Sequence, residues 1–154
     1  MPGNSILKEV PMPTPDELRA AIAEGRQVLR AALEAASRGD WERKPAAGEG
    51  EGAWSAREVA QHVIPAEAYF ATEICVACGY PGVEFTNRSY ATPAEALAAL
   101  DEVIEISNKK IKYVTETDLE KPHSAFGSVE GIMSYEAVHL AEHAAQIRAA
   151  AGVA

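Results

Sequence analysis

Three segments of the chain carry the same helix-initiation signal, and this repetition constrains the fold more than any other feature. In TPDE, SARE and TPAE, a serine or threonine stands three residues before a glutamate, which is the capping-box pattern. In the first and third segments, proline follows the cap directly, where a helix tolerates it best. The pattern predicts helix starts at three pairs: Thr14/Glu17, Ser55/Glu58 and Thr92/Glu95.

Apolar residues recur at helical spacing after each of these starts, with polar residues such as Arg19, Glu24 and Arg26 between them. Ser134 can cap a fourth segment near the C-terminus. We therefore predict helices at about 15–38, 56–78, 93–115 and 135–150. Pro65 falls inside the second helix, where the missing backbone hydrogen bond should bend the axis.

The composition agrees with a purely helical domain. A chain of 154 residues with 47% hydrophobic residues can bury a core of its own, and the aromatic content is only 6%. Alanine, leucine and glutamate dominate, as they do in helices. We predict a single all-α domain, residues 1–154, folded as a four-helix bundle whose longer loops leave room for crossovers.

Two connecting segments differ in character from the helices. Residues 39–53 combine glycine, proline and charge, which predicts a mobile connection rather than a packed element. Residues 115–133 contain Pro122, Gly127 and Gly131, and a loop of this length in a compact domain often covers a functional site. His123 lies in this loop and is expected to face solvent or the mouth of such a site.

The charge balance excludes one class of partner. The net charge of -9 repels phosphate backbones, so nucleic acid is not an expected partner. No apolar run is long enough to cross a bilayer, and the N-terminal residues MPGNSILKEV lack the features of a secretion signal. We expect a cytoplasmic protein that does not bind membranes.

The segment HLAEHAAQI contains the first candidate for chemistry. His139 and His143 lie one helical turn apart and can share one metal ion, although two half-exposed histidines without a ligand would show the same spacing. His62 lies on an otherwise apolar stretch of the second helix and needs a polar partner if it is buried. Joining the same ion would supply that partner, but spacing alone leaves both interpretations open.

The CVAC segment, Cys75 to Cys78, suggests a redox pair by its spacing. Redox pairs of this type lie at a helix N-terminus, whereas this one falls at a predicted C-terminus, where the helix dipole disfavours thiolates. We therefore expect two small buried side chains rather than a redox centre.

Two segments together resemble a known family. WSAREVAQHV at 54–63 and AVHLAEHAAQIR at 137–148 are similar, in order and spacing, to the paired signature of the DinB/YfiT-like superfamily. The resemblance implies a four-helix bundle in which His62, His139 and His143 hold a divalent metal ion. Members of the family include transferases and isomerases that depend on low-molecular-weight thiols, as well as many proteins without a known activity.

A site of three imidazoles leaves a coordination position open, as catalytic zinc sites do. Zinc and nickel are the expected ions, and either activates a bound water or thiol at neutral pH. Candidates to orient the rings or move protons are Glu58, Glu67 and Gln146. Each also has a simpler explanation: Glu58 completes a capping box, Glu67 faces solvent, or Gln146 bonds to a neighbouring helix.

The expected function is a metal-dependent transferase or hydrolase acting on a small electrophilic molecule or thiol. The alternative is a non-catalytic module in which the metal ties the second helix to the fourth. Arg57, Arg88 and Arg148 are scattered along the sequence, so a basic cluster for the carboxylates of a thiol cofactor is not evident. A homodimer is a further expectation, because exposed faces of such bundles commonly pair.

Overall fold

A computed structural model describes residues 11–46 and 48–154 of the chain. Segment 1–10, on which the expectation of no secretion signal rests, lies outside the described residues. The elements are α1 (Pro15–Ala36), α2 (Ala56–Ala77), α3 (Pro93–Ile111), the short α4 (Glu116–Leu119), the two-residue strands β1 (Pro122–His123) and β2 (Gly127–Ser128), and α5 (Val129–Ala151). The predicted all-α fold is confirmed. Within the described ranges, no helix combines the length and apolar character needed to span a membrane.

The three predicted capping boxes are all formed. In α1, α2 and α3 the cap hydroxyl accepts a hydrogen bond from the backbone N–H of the glutamate, whose carboxylate accepts one from the cap residue. The helix α2 continues through Pro65 and ends at Ala77, with Cys78 as its C-cap and Gly79 following at a φ of 87°. The bend at Pro65 stays a prediction.

The last helix begins six residues earlier than predicted, at Val129 instead of residue 135. Its N-cap is Ser128, whose hydroxyl accepts from the N–H of Gly131, so the assignment of Ser134 as the cap is wrong. A β-carbon at Gly131 would lie only 2.0 Å from the carbonyl oxygen of Phe126. Gly131 is therefore a packing requirement within the helix rather than the loop signal that it suggests in the sequence.

The third helix also differs from its predicted end. It ends at Ile111, and Thr115 caps the short α4 through its own capping box with Asp118. Val114 remains buried between the two helices. The predicted loop over 115–133 is thus partly structured, with α4 and an antiparallel hairpin that pairs β1 with β2.

α1 packs on both α3 and α5. It runs parallel to α5, because Gly25 lies against Leu140 and the N–H of Asp40 donates to the carbonyl of Ala151. It runs antiparallel to α3, because Arg19 near its start donates to the carbonyl of Ile111 at the end of α3.

α2 also contacts α3 and α5, so it lies diagonally across the bundle from α1. The connection from α2 to α3 runs back along α2: Val83 bonds to Thr72, and Tyr90 bonds to Gln61 near the start of the helix. As a result α3 starts beside the start of α2 and runs parallel to it. The order of directions is up, down, down, up, with one long crossover, between α2 and α3, of the kind that the loops allowed.

The segment 39–53 contacts the bundle at two places, whereas the sequence predicted a connection that is not packed. Trp41 is buried, and its indole N–H donates to the carbonyl of Tyr90 at 2.9 Å. Residues Gly50–Ala53 form a turn of 3₁₀ helix directly before α2, and the carbonyl of Glu51 in this turn accepts a hydrogen bond from Gln146 of α5.

Candidate metal centre

Three histidines meet between α2 and α5. His62 lies in the second turn of α2, while His139 and His143 follow one another by a turn on the facing side of α5. One ring nitrogen from each residue lies within 4.8 Å of the other two, and the Nε2 atoms of His62 and His139 are 3.3 Å apart. The structure therefore brings together the three side chains that the sequence singled out.

The three rings are largely withdrawn from water. His139 and His143 are buried and His62 is half-buried, with the side chains of Val59 and Val63 in the core on either side of it. Trp54 packs against His62, with ring centroids 5.4 Å apart, and Phe70 packs edge-on against His139 at 5.3 Å. Apolar surroundings of this kind strengthen electrostatic interactions inside the site.

Two hydrogen bonds determine which ring nitrogen of His143 carries the hydrogen. The backbone carbonyl of Glu51 can only accept, so the amide nitrogen of Gln146 donates to it, at 2.6 Å. The side-chain oxygen of Gln146 then faces Nδ1 of His143 at 2.8 Å and accepts the hydrogen of that nitrogen. Nε2 of His143 is left with a free lone pair, as a metal ligand requires.

The other two rings are neutral at physiological pH. Burial, together with the nearby His143 and His62, lowers the pKa of His139 to about 4. Burial and the charge of His143 also lower the pKa of His62, against the opposite effect of Glu51. Neutral imidazoles keep the lone pairs that bind a metal ion.

His139 has one nitrogen whose bonding is incomplete. Its Nδ1 is buried and has no hydrogen-bond partner in the described part of the chain. A buried polar group without a partner costs roughly 1–3 kcal/mol. The other nitrogen, Nε2, faces His62, so a ligand bound at Nε2 would leave the hydrogen on Nδ1 without a partner.

The three carboxylate and amide candidates have different surroundings. Gln146 contacts His143 directly through its side-chain oxygen. Glu58 bonds to the backbone N–H of Ser55 and forms an ion pair with Lys44 at 3.0 Å. Glu67 is fully buried rather than solvated, and its Oε1 accepts from Arg26 at 2.8 Å. Gln146 is thus the candidate that hydrogen-bonds to a histidine of the triad.

A buried polar cluster lies in the core and was missed in the sequence. Arg26 of α1, one of the polar residues named between the apolar positions of this helix, is buried. It bonds through Nε to Glu67 and through Nη2 to Glu136, the latter at 3.3 Å. Its remaining donors reach Ser107 and Asn108 of α3, at 2.7 and 2.8 Å. The Arg26 cluster therefore joins all four long helices.

Two carboxylates share this cluster with one arginine. Glu67 Oε2 and Glu136 Oε1 are buried without partners among the described residues. Burial first, and then the charge of Glu67, raises the pKa of Glu136 well above its ordinary value. A protonated Glu136 lowers the net negative charge that the core must accommodate.

The spacing of the apolar residues in α1 and α5 indicates that Arg26 and Glu136 are buried. Arg26 occupies a core position of the stripe formed by Ile22, Leu29 and Leu33. Glu136 likewise falls between Ile132 and Leu140 on the buried face of α5. A charged residue at an apolar position of a helical stripe indicates a buried polar network, provided that partners occupy the same level of other helices.

The remaining sequence candidates lie outside the histidine triad. His123 is in β1, half-buried, and its Nε2 lies 2.8 Å from the carboxylate of Glu73. Cys75 and Cys78 are buried at the end of α2, and burial raises the pKa of both thiols. The expectation of small buried side chains at this pair is confirmed.

Comparison with known proteins shows the family of the chain. No curated protein and no solved structure matches the chain significantly. The family model of the DinB superfamily matches residues 21–147, which include His62, His139 and His143. Because this match covers most of the chain, the protein belongs to the DinB superfamily.

Proposed function

We propose that His62, His139 and His143 bind one divalent metal ion and that the protein is a metal-dependent transferase or hydrolase acting on a small molecule. The convergence of the three rings, with ligand atoms within 4.8 Å of one another, is the observation that carries the proposal. Membership in the DinB superfamily supports it.

The spacing of the nitrogens suits a metal ion. Two nitrogens bound at about 2.0–2.1 Å with a tetrahedral angle between them lie about 3.3–3.4 Å apart. The Nε2 atoms of His62 and His139 are 3.3 Å apart. Without an ion, this contact is a hydrogen bond only if one of the two nitrogens carries its hydrogen, whereas a metal ion can engage both lone pairs.

The protein's own residues would hold the rings and exclude water. Gln146 keeps the hydrogen of His143 on Nδ1, and Trp54 and Phe70 restrict the rings of His62 and His139. A bound ion with an open coordination position would lower the pKa of a water or thiol and so supply a nucleophile at neutral pH. Imidazole ligands suit both zinc and nickel.

Metal titration of the protein tests the site. We expect one ion per chain, with an affinity that falls at least tenfold when any one of the three histidines is replaced by alanine, because each supplies a bond to the ion. His123→Ala is the matched control, since this histidine pairs with Glu73 and not with the triad. Equal affinities for His62→Ala and wild type would refute the three-histidine site. The protein should be purified without a nickel column, which would load the site.

A second candidate function is a non-catalytic module in which the ion fastens α2 to α5. The observation that favours it is that the triad spans two helices, so an ion would crosslink them. Incubation of the metal-loaded protein with several thiols and an electrophile separates the two functions. Turnover above that of a variant lacking all three histidines supports the enzyme, and turnover equal to it favours the module.

A further inference from the structure

The histidine triad is continuous with a series of aromatic side chains along the seam between α2 and α5. Phe70 and Tyr135 both contact His139, with ring centroids 5.3 and 5.7 Å away. Phe126 of the hairpin packs on Tyr135 at 5.2 Å, and Tyr69 packs on Phe70 at 5.5 Å. We call Tyr69, Phe70, Phe126 and Tyr135 the aromatic strip.

The register of the two helices explains why the strip extends from the triad in one direction. Tyr69 lies seven residues after His62, which is two turns along α2 on the same face. Tyr135 lies four residues before His139, one turn back along α5. Since α2 and α5 are antiparallel, both tyrosines lie on the same side of the triad, towards the hairpin.

The rings of the aromatic strip differ in exposure: Phe70 is buried in the core, and Tyr69 and Tyr135 lie at the surface. Phe70 is 2% exposed, whereas Tyr69 and Tyr135 are 49% and 47% exposed. Phe70 is explained by the core alone. The two half-exposed tyrosines are not, because an aromatic ring beside a polar site gains free energy when a ligand covers it.

The charges around the strip disfavour an anionic ligand. Glu73 lies next to it and is bonded to His123, with the carboxylate oxygen 2.8 Å from Nε2 of that ring. The three arginines that the sequence offered for binding a carboxylate have other partners: Arg57 pairs with Glu42, Arg88 with Glu102, and Arg148 bonds to the carbonyl of Ala154.

We propose that the aromatic strip binds the aromatic ring of an uncharged small molecule whose donor atom reaches the metal position between the three histidines. This inference rests on the proposed metal site and adds the chemical class of the ligand. The ring would lie against Tyr69 and Tyr135, where face-to-edge contacts with aromatic side chains are available.

Binding of two metal-chelating probes to the zinc-loaded protein tests the inference by calorimetry. Acetohydroxamate and benzohydroxamate offer the same chelating group, but only the second carries a ring. We expect benzohydroxamate to bind about tenfold more tightly, from ring stacking and the burial of apolar surface. Equal affinities would overturn the inference and leave the metal site intact.

Substitution of the exposed rings locates the binding surface. Tyr69→Leu and Tyr135→Leu should each reduce the advantage of benzohydroxamate severalfold, with the affinity for acetohydroxamate unchanged. Tyr113→Leu is the matched control, because Tyr113 is 63% exposed and lies just after α3. If neither strip variant differs from this control, the strip is not the binding surface.

Two further results test the preference for uncharged ligands and the metal site separately. 4-Carboxybenzohydroxamate should bind more weakly than benzohydroxamate, and tighter binding would contradict the preference for uncharged ligands. Binding of neither hydroxamate to the zinc-loaded protein would refute the inference and the open coordination position, but not the metal site. Equal binding of a hydroxamate to wild type and to the variant lacking all three histidines would refute the metal site and the inference with it.

Discussion

At the scale of single residues, one glutamine determines how the proposed site is prepared for metal. Gln146 joins the carbonyl of Glu51 to Nδ1 of His143, so the backbone before α2 controls the tautomer of a ring on α5. Partners of this kind raise the basicity of a ligating ring and fix its orientation.

Replacing Gln146 by alanine should therefore weaken metal binding by roughly 10–100-fold. Gln146→Glu keeps an acceptor for His143 and should restore most of the affinity. The control is Gln27→Ala, an exposed glutamine of α1. Competition with a chromophoric chelator measures these affinities, and a Gln146→Ala protein that binds metal like the control would contradict the role of Gln146.

The titration of Glu136 gives a second residue-scale prediction. Its pKa is raised above the ordinary value of 4.5, so from pH 4.5 up to the raised pKa the folded state holds a proton that the unfolded state has lost. Stability then falls as pH rises through this window, by up to about 1.4 kcal/mol per pH unit. The Glu136→Gln protein should not show this fall in stability with rising pH, because glutamine does not titrate.

Denaturant unfolding of wild type and of Glu136→Gln between pH 4 and 8 measures the difference between their free energies of unfolding. The effects of all other titrating groups, which the two proteins share, cancel in this difference. The variant should become progressively more stable relative to wild type as pH rises above 4.5. A difference that does not change with pH would show that Glu136 is ionised in the folded protein.

The residues of the proposed site are more predictable from the sequence than those of the core. HxxxH spacing offers His139 and His143 as a pair of ligands, and the resemblance to the DinB family adds His62 as the third. Arg26 is not predictable in the same way, because its partners come from three other helices and their alignment depends on the bundle order. Sequence spacing shows which residues share one face of a helix. Which residues of different helices meet depends on how the helices pack, and sequence spacing does not show this.

At the scale of elements, local capping chemistry determined the starts of the long helices. The three helices with a complete capping box were predicted at their correct starts. In α5 the cap at Ser128 has no glutamate partner, and Gly131 interrupts the expected periodicity. Ser128 caps the helix through the N–H of Gly131, and Gly131 itself lies too close to the carbonyl of Phe126 to carry a side chain.

Two alanine substitutions test where α5 begins. Ser128→Ala removes the hydroxyl that caps Gly131 and should cost about 1 kcal/mol of stability. Ser134→Ala changes an exposed position inside the helix and should alter stability by less than about 0.5 kcal/mol. Chemical denaturation gives both values, and a larger loss for Ser134→Ala would place the cap at the position that the sequence suggested.

At the scale of the whole molecule, the Arg26 cluster and the histidine triad are two polar centres in one apolar bundle. The cluster joins α1, α2, α3 and α5, while the triad joins α2 and α5. Buried polar groups that need partners from several helices favour one arrangement of those helices over others. We infer that the cluster helps to select the up, down, down, up order that places His62 opposite His139.

Replacing Arg26 by methionine should cost roughly 3–5 kcal/mol of stability, because it leaves two buried carboxylates without their cation. Arg88→Ala, which breaks the exposed pair with Glu102, is the control and should cost no more than about 0.5 kcal/mol. A variant with apolar residues at Arg26, Glu67 and Glu136 together should recover most of the loss. Similar stabilities for the Arg26 and Arg88 variants would show that the cluster does not hold the bundle.

Anomalous X-ray scattering from a crystal of the metal-loaded protein, recorded at the absorption edge of the added ion, tests the proposed metal site most directly. The proposal predicts one strong peak at about 2.0–2.1 Å from a ring nitrogen of each of His62, His139 and His143. A fourth position should be filled by solvent and not by a protein side chain. A peak elsewhere in the molecule, or none between these three rings, would contradict it.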